Sequence, residues 1–211
     1  ARIQGMAEIL LKSQANHKIV SDILSSTEEL NQFLTSILEL TQIESKQFKL
    51  SKVSKDINRI IEDCIAKYEF QARSKSIRIH RDLEPLFPIK VDPRLISKVI
   101  CNLIDNAIKY SPPGKHVQVY SRESSKQGYV EIEISDTGYG IEEQELENLG
   151  EKFYRPHNNA TLMTRGSGLG LYLSRYFIQL HNGIFHITSQ VGQGSKFTIF
   201  LPSTEEERAY V

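Results

Sequence analysis

The stretch CNLIDNAIKY, residues 101–110, places Asn102, Asn106 and Lys109 at helical intervals along one stripe. Beside that polar stripe runs an apolar one of Ile96, Val99, Ile100, Leu103 and Ala107. An amide oxygen can coordinate a hard cation, and a lysine one turn on can face a phosphate. Taken alone, the two asparagines would read as residues facing water. Two further segments favour chemistry. In SDTGYGI, Asp136 closes an alternating stretch and is followed by Gly138 and Gly140. A carboxylate at such a strand end can accept a hydrogen bond from an exocyclic amine, which makes Asp136 a candidate reader of adenine, although Asp-x-Gly-x-Gly by itself is a common turn. In RGSGLGL, Gly166, Gly168 and Gly170 stand directly before a helical pattern, where free backbone N–H groups and the helix dipole make an anion site. No Gly-Lys-Ser/Thr follows, so this is not a Walker A loop, and GxGxG without a preceding strand is not a dinucleotide fingerprint. Within the 25 residues between the two glycine clusters lies a polar, strand-poor stretch of about 15 residues, long enough to serve as a lid over a ligand.

These residues need rigid elements to hold them. VDPRLISKVICNLIDNAIKYS predicts a helix with Asp92 as N-cap and Pro93 at its first position, where a missing N–H is no loss. DINRIIEDCIAKYEFQARS predicts a second helix. GLGLYLSRYFIQLHNG predicts a third, with Leu169, Tyr172, Leu173, Tyr176, Phe177 and Leu180 on its apolar face and its end at Asn182-Gly183. SIRIHRDL alternates as a strand. HVQVYSRESSKQGYVEIEIS reads as a hairpin, and GIFHITS with GSKFTIFLP as a second strand pair around QVGQG. Interspersed helices and mostly antiparallel hairpins predict an α+β sandwich, a mixed sheet covered by helices.

Upstream of that sandwich the pattern differs. Residues 1–50 predict a helical hairpin: a short helix over Ile3–Leu11, a polar break KSQANH containing His17, and a longer helix. The longer helix carries a narrow seam through Ile19, Ile23, Leu30, Leu34, Ile37 and Thr41. A seam of that kind needs a partner, so the economical reading is a homodimer whose hairpins form a four-helix bundle, against the alternative that the hairpin packs on its own globular domain. Residues 51–203 form the sandwich domain, and 204–211 a loose polar tail.

With 211 residues, 39% of them hydrophobic, the chain can bury one substantial core and an appendage. Twenty-six basic residues balance 26 acidic ones, and no long block of one sign argues for nucleic-acid or membrane-surface binding. Cys64 and Cys101 lie outside any CxxC spacing, which argues against a thiolate zinc site. They read as small core hydrophobes in a reducing compartment. No apolar run reaches the roughly 20 residues that span a bilayer, and ARIQGMAEIL lacks signal-peptide features. The pattern begins inside a helix without a cap, as in a piece of a longer chain.

The ordered set NLIDNAIKYS, DTGYGI, EKFYRP and RGSGLGL resembles the N, first-glycine, F and second-glycine boxes of bacterial sensor histidine kinases of two-component systems. Four boxes in order are far more specific than any one. The likeness runs the length of the chain, from ELTQIESKQFKL at the exit of the second bundle helix to GQGSKFTIFLP at the final strand. It implies a Bergerat-type (GHKL) ATP-binding sandwich attached to a dimeric hairpin, with ATP and Mg²⁺ bound. By position it implies that Asn106 coordinates Mg²⁺, that Asn102 lies near the metal and phosphates, and that Lys109 and Tyr110 flank the nucleotide. Asp136 would bind the adenine amine. Gly138, Gly140, Gly166, Gly168 and Gly170 would shape pocket and lid, with Ile141, Arg165, Ser167 and Leu169 completing the binding set. Phe153 would anchor the lid, and Arg155 would approach the phosphates. The implied reaction moves the γ-phosphoryl group to a histidine and then to an aspartate of a response-regulator receiver domain, with Asn102, Lys109 and Arg155 as the catalytic set. The implied setting is the cytoplasm, with any inner-membrane anchor in upstream residues.

The family's acceptor segment, His-Glu/Asp-x-x-x-Pro, does not occur around any of the six histidines, so the expectation is a chain that binds nucleotide without phosphorylating itself. Of those histidines, His157 within the lid is the one with a chance of touching nucleotide. Two rival readings remain. One is a hydrolase of the same superfold, as in the gyrase B and MutL ATPases, where a glutamate one turn before the metal-binding asparagine activates water; here Asn102 fills that place and cannot act as a base. The other is a non-catalytic nucleotide-binding scaffold.

Overall fold

The computed structural model describes residues 17–45, 50–156, 164 and 166–203. The Ile3–Leu11 stretch, His157, Arg165 and the tail 204–211 therefore lie outside the described residues. The chain divides into two compact units, Ala1–Phe48 and Lys49–Val211.

In the first unit, α1 runs from His17 to Glu44 as one 28-residue helix. It takes in His17, the last residue of the expected polar break KSQANH, which carries no Pro or Gly to stop a helix. Its hydroxyls serve its own turns: Thr27 and Thr35 donate to the carbonyls of Ile23 and Asn31. Val20, Leu40 and Ile43 are buried, whereas Ile23, Leu30, Phe33, Leu34 and Leu38 stand exposed, Leu38 by 63%. Three members of the expected seam, Ile23, Leu30 and Leu34, are thus uncovered apolar surface. Among the described residues no helix is long and apolar enough to cross a membrane.

The second unit is built on a five-stranded sheet in the order β2-β4-β5-β7-β6, with β2 Arg78–Leu83, β4 His116–Glu123, β5 Tyr129–Asp136, β6 Ile184–Gln190 and β7 Gly194–Pro202. β2 pairs with β4 in parallel, and the other three pairings are antiparallel. Val119, Ile134 and Phe197 lie in register on one face, and all are buried. Against that face pack α2 (Ile57–Ser74), α3 (Pro93–Lys109) and α5 (Gly170–Leu180), and a one-turn helix α4 (Glu143–Leu146) follows β5. The other face is polar and laced by ion pairs, Arg122 to Glu131 at 2.5 Å and Lys196 to Glu133 at 3.1 Å. A small second sheet joins β1 (Val53–Lys55) to β3 (Ile89–Val91), two three-residue strands too short to show a period in the sequence.

Helix α3 is the spine of the unit. Asp92 caps it, accepting from the amides of Arg94 at 3.1 Å and Leu95 at 3.4 Å, with Pro93 in the first turn. Its Ile96, Val99, Ile100, Leu103 and Ala107 are all within 1% of full burial. Cys64 is buried, but Cys101 is only half-buried, a departure from the expectation that both are core residues. Helix α5 begins one residue later than its apolar pattern. Leu169 stands just outside as the N-cap residue, and the buried positions are Leu173, Ser174, Phe177 and Ile178, with Tyr172 and Tyr176 half-covered. Asn182, rather than Gly183, takes the left-handed turn after it, with φ 57°.

Candidate functional site

Asn102 and Asn106 lie half-buried on the flank of α3, beside its fully buried stripe. Asn102 is held from across the site: its Nδ2 donates to Oγ of Ser174 on α5 at 3.0 Å. The contact is close enough that a Cβ on Gly170 would sit 2.4 Å from the Asn102 Oδ1, so a larger residue there would have to displace the Asn102 amide. The asparagine and the first turn of α5 are therefore in direct contact. That turn has no side-chain cap, which leaves its amide donors available. Asn106 makes no side-chain hydrogen bond among the described residues, so its amide oxygen is uncommitted.

The segment after β5 is clamped from two sides. On one, the Tyr139 amide donates to the Tyr110 carbonyl at the end of α3, 3.2 Å away, and a Cβ on Gly138 would fall 2.3 Å from that same carbonyl. On the other, the Ile141 amide donates to Ser189 Oγ at 2.9 Å and the Gly192 amide to the Tyr139 carbonyl at 2.7 Å, both from the β6–β7 end. Gly140 abuts the Gln190 backbone there. Asp136, 7% exposed, sits at the clamp's centre. Its Oδ1 accepts from the Gly138 amide at 2.8 Å and the Ser195 amide at 3.3 Å, while Oδ2 takes no bond among the described residues. Burial pushes its carboxyl up to about 6, and the two amide donors only partly offset that.

Several expected residues are placed otherwise than phosphate contact would ask. Lys109 reaches Asp105 at 2.6 Å, an i,i+4 pair, and Asp105 also accepts from Gln71. The Arg155 guanidinium donates to the carbonyls of Gly166 at 3.1 Å and Thr164 at 2.5 Å, which ties it to the start of the second glycine cluster. Phe153 is 52% exposed with φ 64°; its backbone, not its ring, meets Gly168. Gly166 is exposed, Leu169 is fully buried, and the Ser167 Oγ accepts from the Leu169 amide at 3.2 Å.

Sequence reasoning missed three supporting residues. Ser174 is one turn beyond Gly170 on α5, a spacing that could have signalled it. Asp105 shows itself only as the i,i+4 partner of Lys109. Lys75, just past α2, donates to the carbonyls of Ile108, Lys109 and Ser111 and so binds the C-terminus of α3; no local pattern announces it. No cluster of three or more His, Cys, Asp or Glu side chains able to hold a metal occurs among the described residues. A cation here would rest on an amide oxygen and on its ligand's own oxygens, a donor set that suits Mg²⁺.

Residues 91–205 match the family described as histidine kinase-, DNA gyrase B- and HSP90-like ATPases. The chain is 27% identical over 209 residues to the sensor-like histidine kinase SenX3 of Mycolicibacterium smegmatis, covering 97% of this chain and 54% of that protein. It thus spans about half the length of that relative. Among solved structures it resembles full-length ShkA in complex with AMPPNP, with a TM-score of 0.78 and 22% identity over 95% of this chain and 42% of that one. It also resembles histidine kinase ThkA in complex with the response regulator TrrA, with a TM-score of 0.72 and 19% identity over 98% of this chain and 58% of that one. At such identities these two likenesses establish the fold.

Proposed function

Because the chain belongs to the family of histidine kinase-, DNA gyrase B- and HSP90-like ATPases, we propose that it is the ATP-binding catalytic portion of a sensor histidine kinase, transferring the γ-phosphoryl group of ATP to a histidine for relay to a response-regulator aspartate. The observation that carries this reading is the contact between Asn102 and Gly170, which joins the asparagine-bearing helix to uncapped amide donors. Asn106 would hold Mg²⁺ through its free amide oxygen, and Asn102 would stand beside it. The metal would supply charge neutralisation to the phosphates. The start of α5 binds the phosphate chain, Asp136 accepts from the adenine amine through Oδ2, and Tyr110 and Lys109 border the nucleotide. Catalysis is chiefly positioning.

The fold likeness to ShkA with AMPPNP supports nucleotide binding, and the likeness to ThkA with TrrA supports a receiver-domain partner. The exposed apolar stripe of α1 supports a second copy of that helix as its cover. A glutamate able to activate water is replaced by Asn102, which favours transfer over hydrolysis. The test supplies Mg²⁺ and γ-labelled ATP to this chain together with a histidine-bearing helical hairpin. Acid-labile, alkali-stable label on the hairpin is expected. Release of labelled phosphate without labelled protein would replace the kinase reading with a hydrolase.

A further inference from the structure

The two cysteines, 37 positions apart in the chain, have their sulfurs 3.0 Å apart where α2 crosses α3. We propose that Cys64 and Cys101 are a hydroperoxide-reactive dithiol that closes to a disulfide between these two helices.

The division of labour follows from the surroundings. Cys101 is half-buried and reachable from solvent, whereas Cys64 is 1% exposed and lies against Ser97, whose carbonyl and hydroxyl are both 3.5 Å from its sulfur. Their shared hydrogen bond treats the two thiols oppositely. With both thiols protonated, Cys101 donates to the Cys64 sulfur and Cys64 to the Ser97 carbonyl. When Cys101 ionises, the Cys64 proton turns to the thiolate and lowers the Cys101 pKa to about 7, while burial opposes this, Lys67 favours the anion and Asp105 disfavours it. The same bond and burial push Cys64 up. The accessible sulfur is thus the nucleophile and the buried one its resolving partner, the arrangement expected of a redox-sensitive pair.

The chemistry balances with a hydroperoxide as oxidant. The Cys101 thiolate attacks the O–O bond, which breaks to give a Cys101 sulfenic acid and, after protonation, an alcohol or water. The Cys64 sulfur then attacks the sulfenic sulfur. The S–S bond forms, the S–O bond breaks, and the departing hydroxide leaves as water with the thiol proton. Two thiols and one hydroperoxide yield one disulfide, one alcohol and one water. Closing the bond asks the sulfurs to approach by about 1 Å, to the usual length of about 2.05 Å. Cys101 immediately precedes Asn102, so the cross-link is made at the same turn of α3 that meets α5.

The experiment treats the whole chain with hydrogen peroxide, then counts thiols after denaturation and weighs the protein. Wild type should fall from two thiols to none, lose two mass units as a monomer, yield a Cys64–Cys101 linked peptide, and recover both thiols with dithiothreitol. Cys64→Ser, which keeps a hydroxyl donor beside Cys101, should stop at a sulfenic acid on Cys101 that dimedone traps. Cys64→Ala, which lacks the donor, should form the same species more slowly, and Cys101→Ser should keep its remaining thiol at the same peroxide dose. The proposal is overturned if wild-type Cys101 proceeds to sulfinic acid while Cys64 stays reduced. It is equally overturned if the disulfide forms only between two chains, or if Cys64 reacts in the Cys101→Ser protein.

Discussion

Lowering the pH from 7 to 5 should weaken ATP binding through a single carboxyl. In the proposed pose the adenine amine donates to Asp136 Oδ2, so binding requires the ionised form. Because burial raises this carboxyl to about 6, its ionised fraction falls from about 0.9 to about 0.09 across those two pH units, a tenfold loss of affinity or about 1.4 kcal/mol. The phosphates titrate in the same range. The readout is therefore the ratio of dissociation constants for ATP and for a purine triphosphate bearing a 6-keto group, in which phosphate effects cancel. Protonated Asp136 can donate to that keto oxygen, so the preference for ATP should fall by at least tenfold. The Asp136→Asn protein keeps an oxygen for the Gly138 and Ser195 amides, but its NH₂ meets the amine as a second donor. It should bind ATP at least tenfold more weakly, with a pH-independent ratio. The unliganded protein responds with the opposite sign. A carboxyl whose folded pKa lies above its ordinary 3.8 contributes stability that is present below about pH 3.8 and is lost as pH rises through about 6. Acidification through this window thus relieves the empty site while weakening ATP. Calorimetric titrations with both nucleotides at pH 7, 6 and 5 decide the matter, and an unchanged ratio would refute the assignment of Asp136 to the amine.

Three further outcomes follow from the packing. Gly170→Ala places a methyl 2.4 Å from the Asn102 oxygen, and overpacking of this kind costs about 1–3 kcal/mol; thermal unfolding should show it, and nucleotide titration should show a loss of binding beyond the loss of folded protein. Lys75→Met strips the Ile108, Lys109 and Ser111 carbonyls of their donor and should cost about 1–3 kcal/mol in urea unfolding, as expected for hydrogen bonds to a charged group. His181 accepts from the Asp92 amide through Nε2 at 2.9 Å, which puts its proton on Nδ1, directed at the Phe177 carbonyl 2.7 Å away. Burial holds its pKa below the ordinary 6.5, so its stabilisation is present above about pH 6.5 and is lost as pH falls through the lower folded value. A His181→Gln protein should lack that acid-side loss when unfolding is followed from pH 7 to 5.

What could be read from the sequence was what neighbours in sequence decide. Asp92-Pro93, followed by apolar residues at helical spacing, specified α3 and its cap, because both are satisfied within one turn. The β4–β5 and β6–β7 pairs were legible for the same reason, being adjacent in sequence with turn residues between them. The β1–β3 sheet was not, because each of its strands is three residues long and gains its bonds only from a partner tens of positions away. The site divides along the same line. Asn102, Asn106, Asp136 and Gly170 announce themselves by type and spacing. The partners that hold Arg155 and Cys101 lie well away from them in sequence, so their contacts could not be read from local spacing. The Lys109 partner is one turn away on the same helix, and there the sequence left open whether the lysine faces it or a phosphate.

The choice between transfer and hydrolysis turns on position 102. A residue there can activate water only if it offers an unprotonated, unencumbered acceptor, and an amide is too weak a base for that role. Its placement reinforces its chemistry: Nδ2 is committed to Ser174, and Oδ1 lies against the α-carbon of Gly170. The donor end of the amide is thus committed to Ser174 and its oxygen faces Gly170, so the side chain ties α3 to α5. In the proposed pose, the side chain that would prepare a water molecule in a hydrolase instead fixes the relation between α3, on the metal side, and α5, on the phosphate side. In that proposed pose a nucleotide held between those helices would keep its γ-phosphoryl group until another nucleophile is brought to it, which is the condition that phosphoryl transfer to a histidine requires.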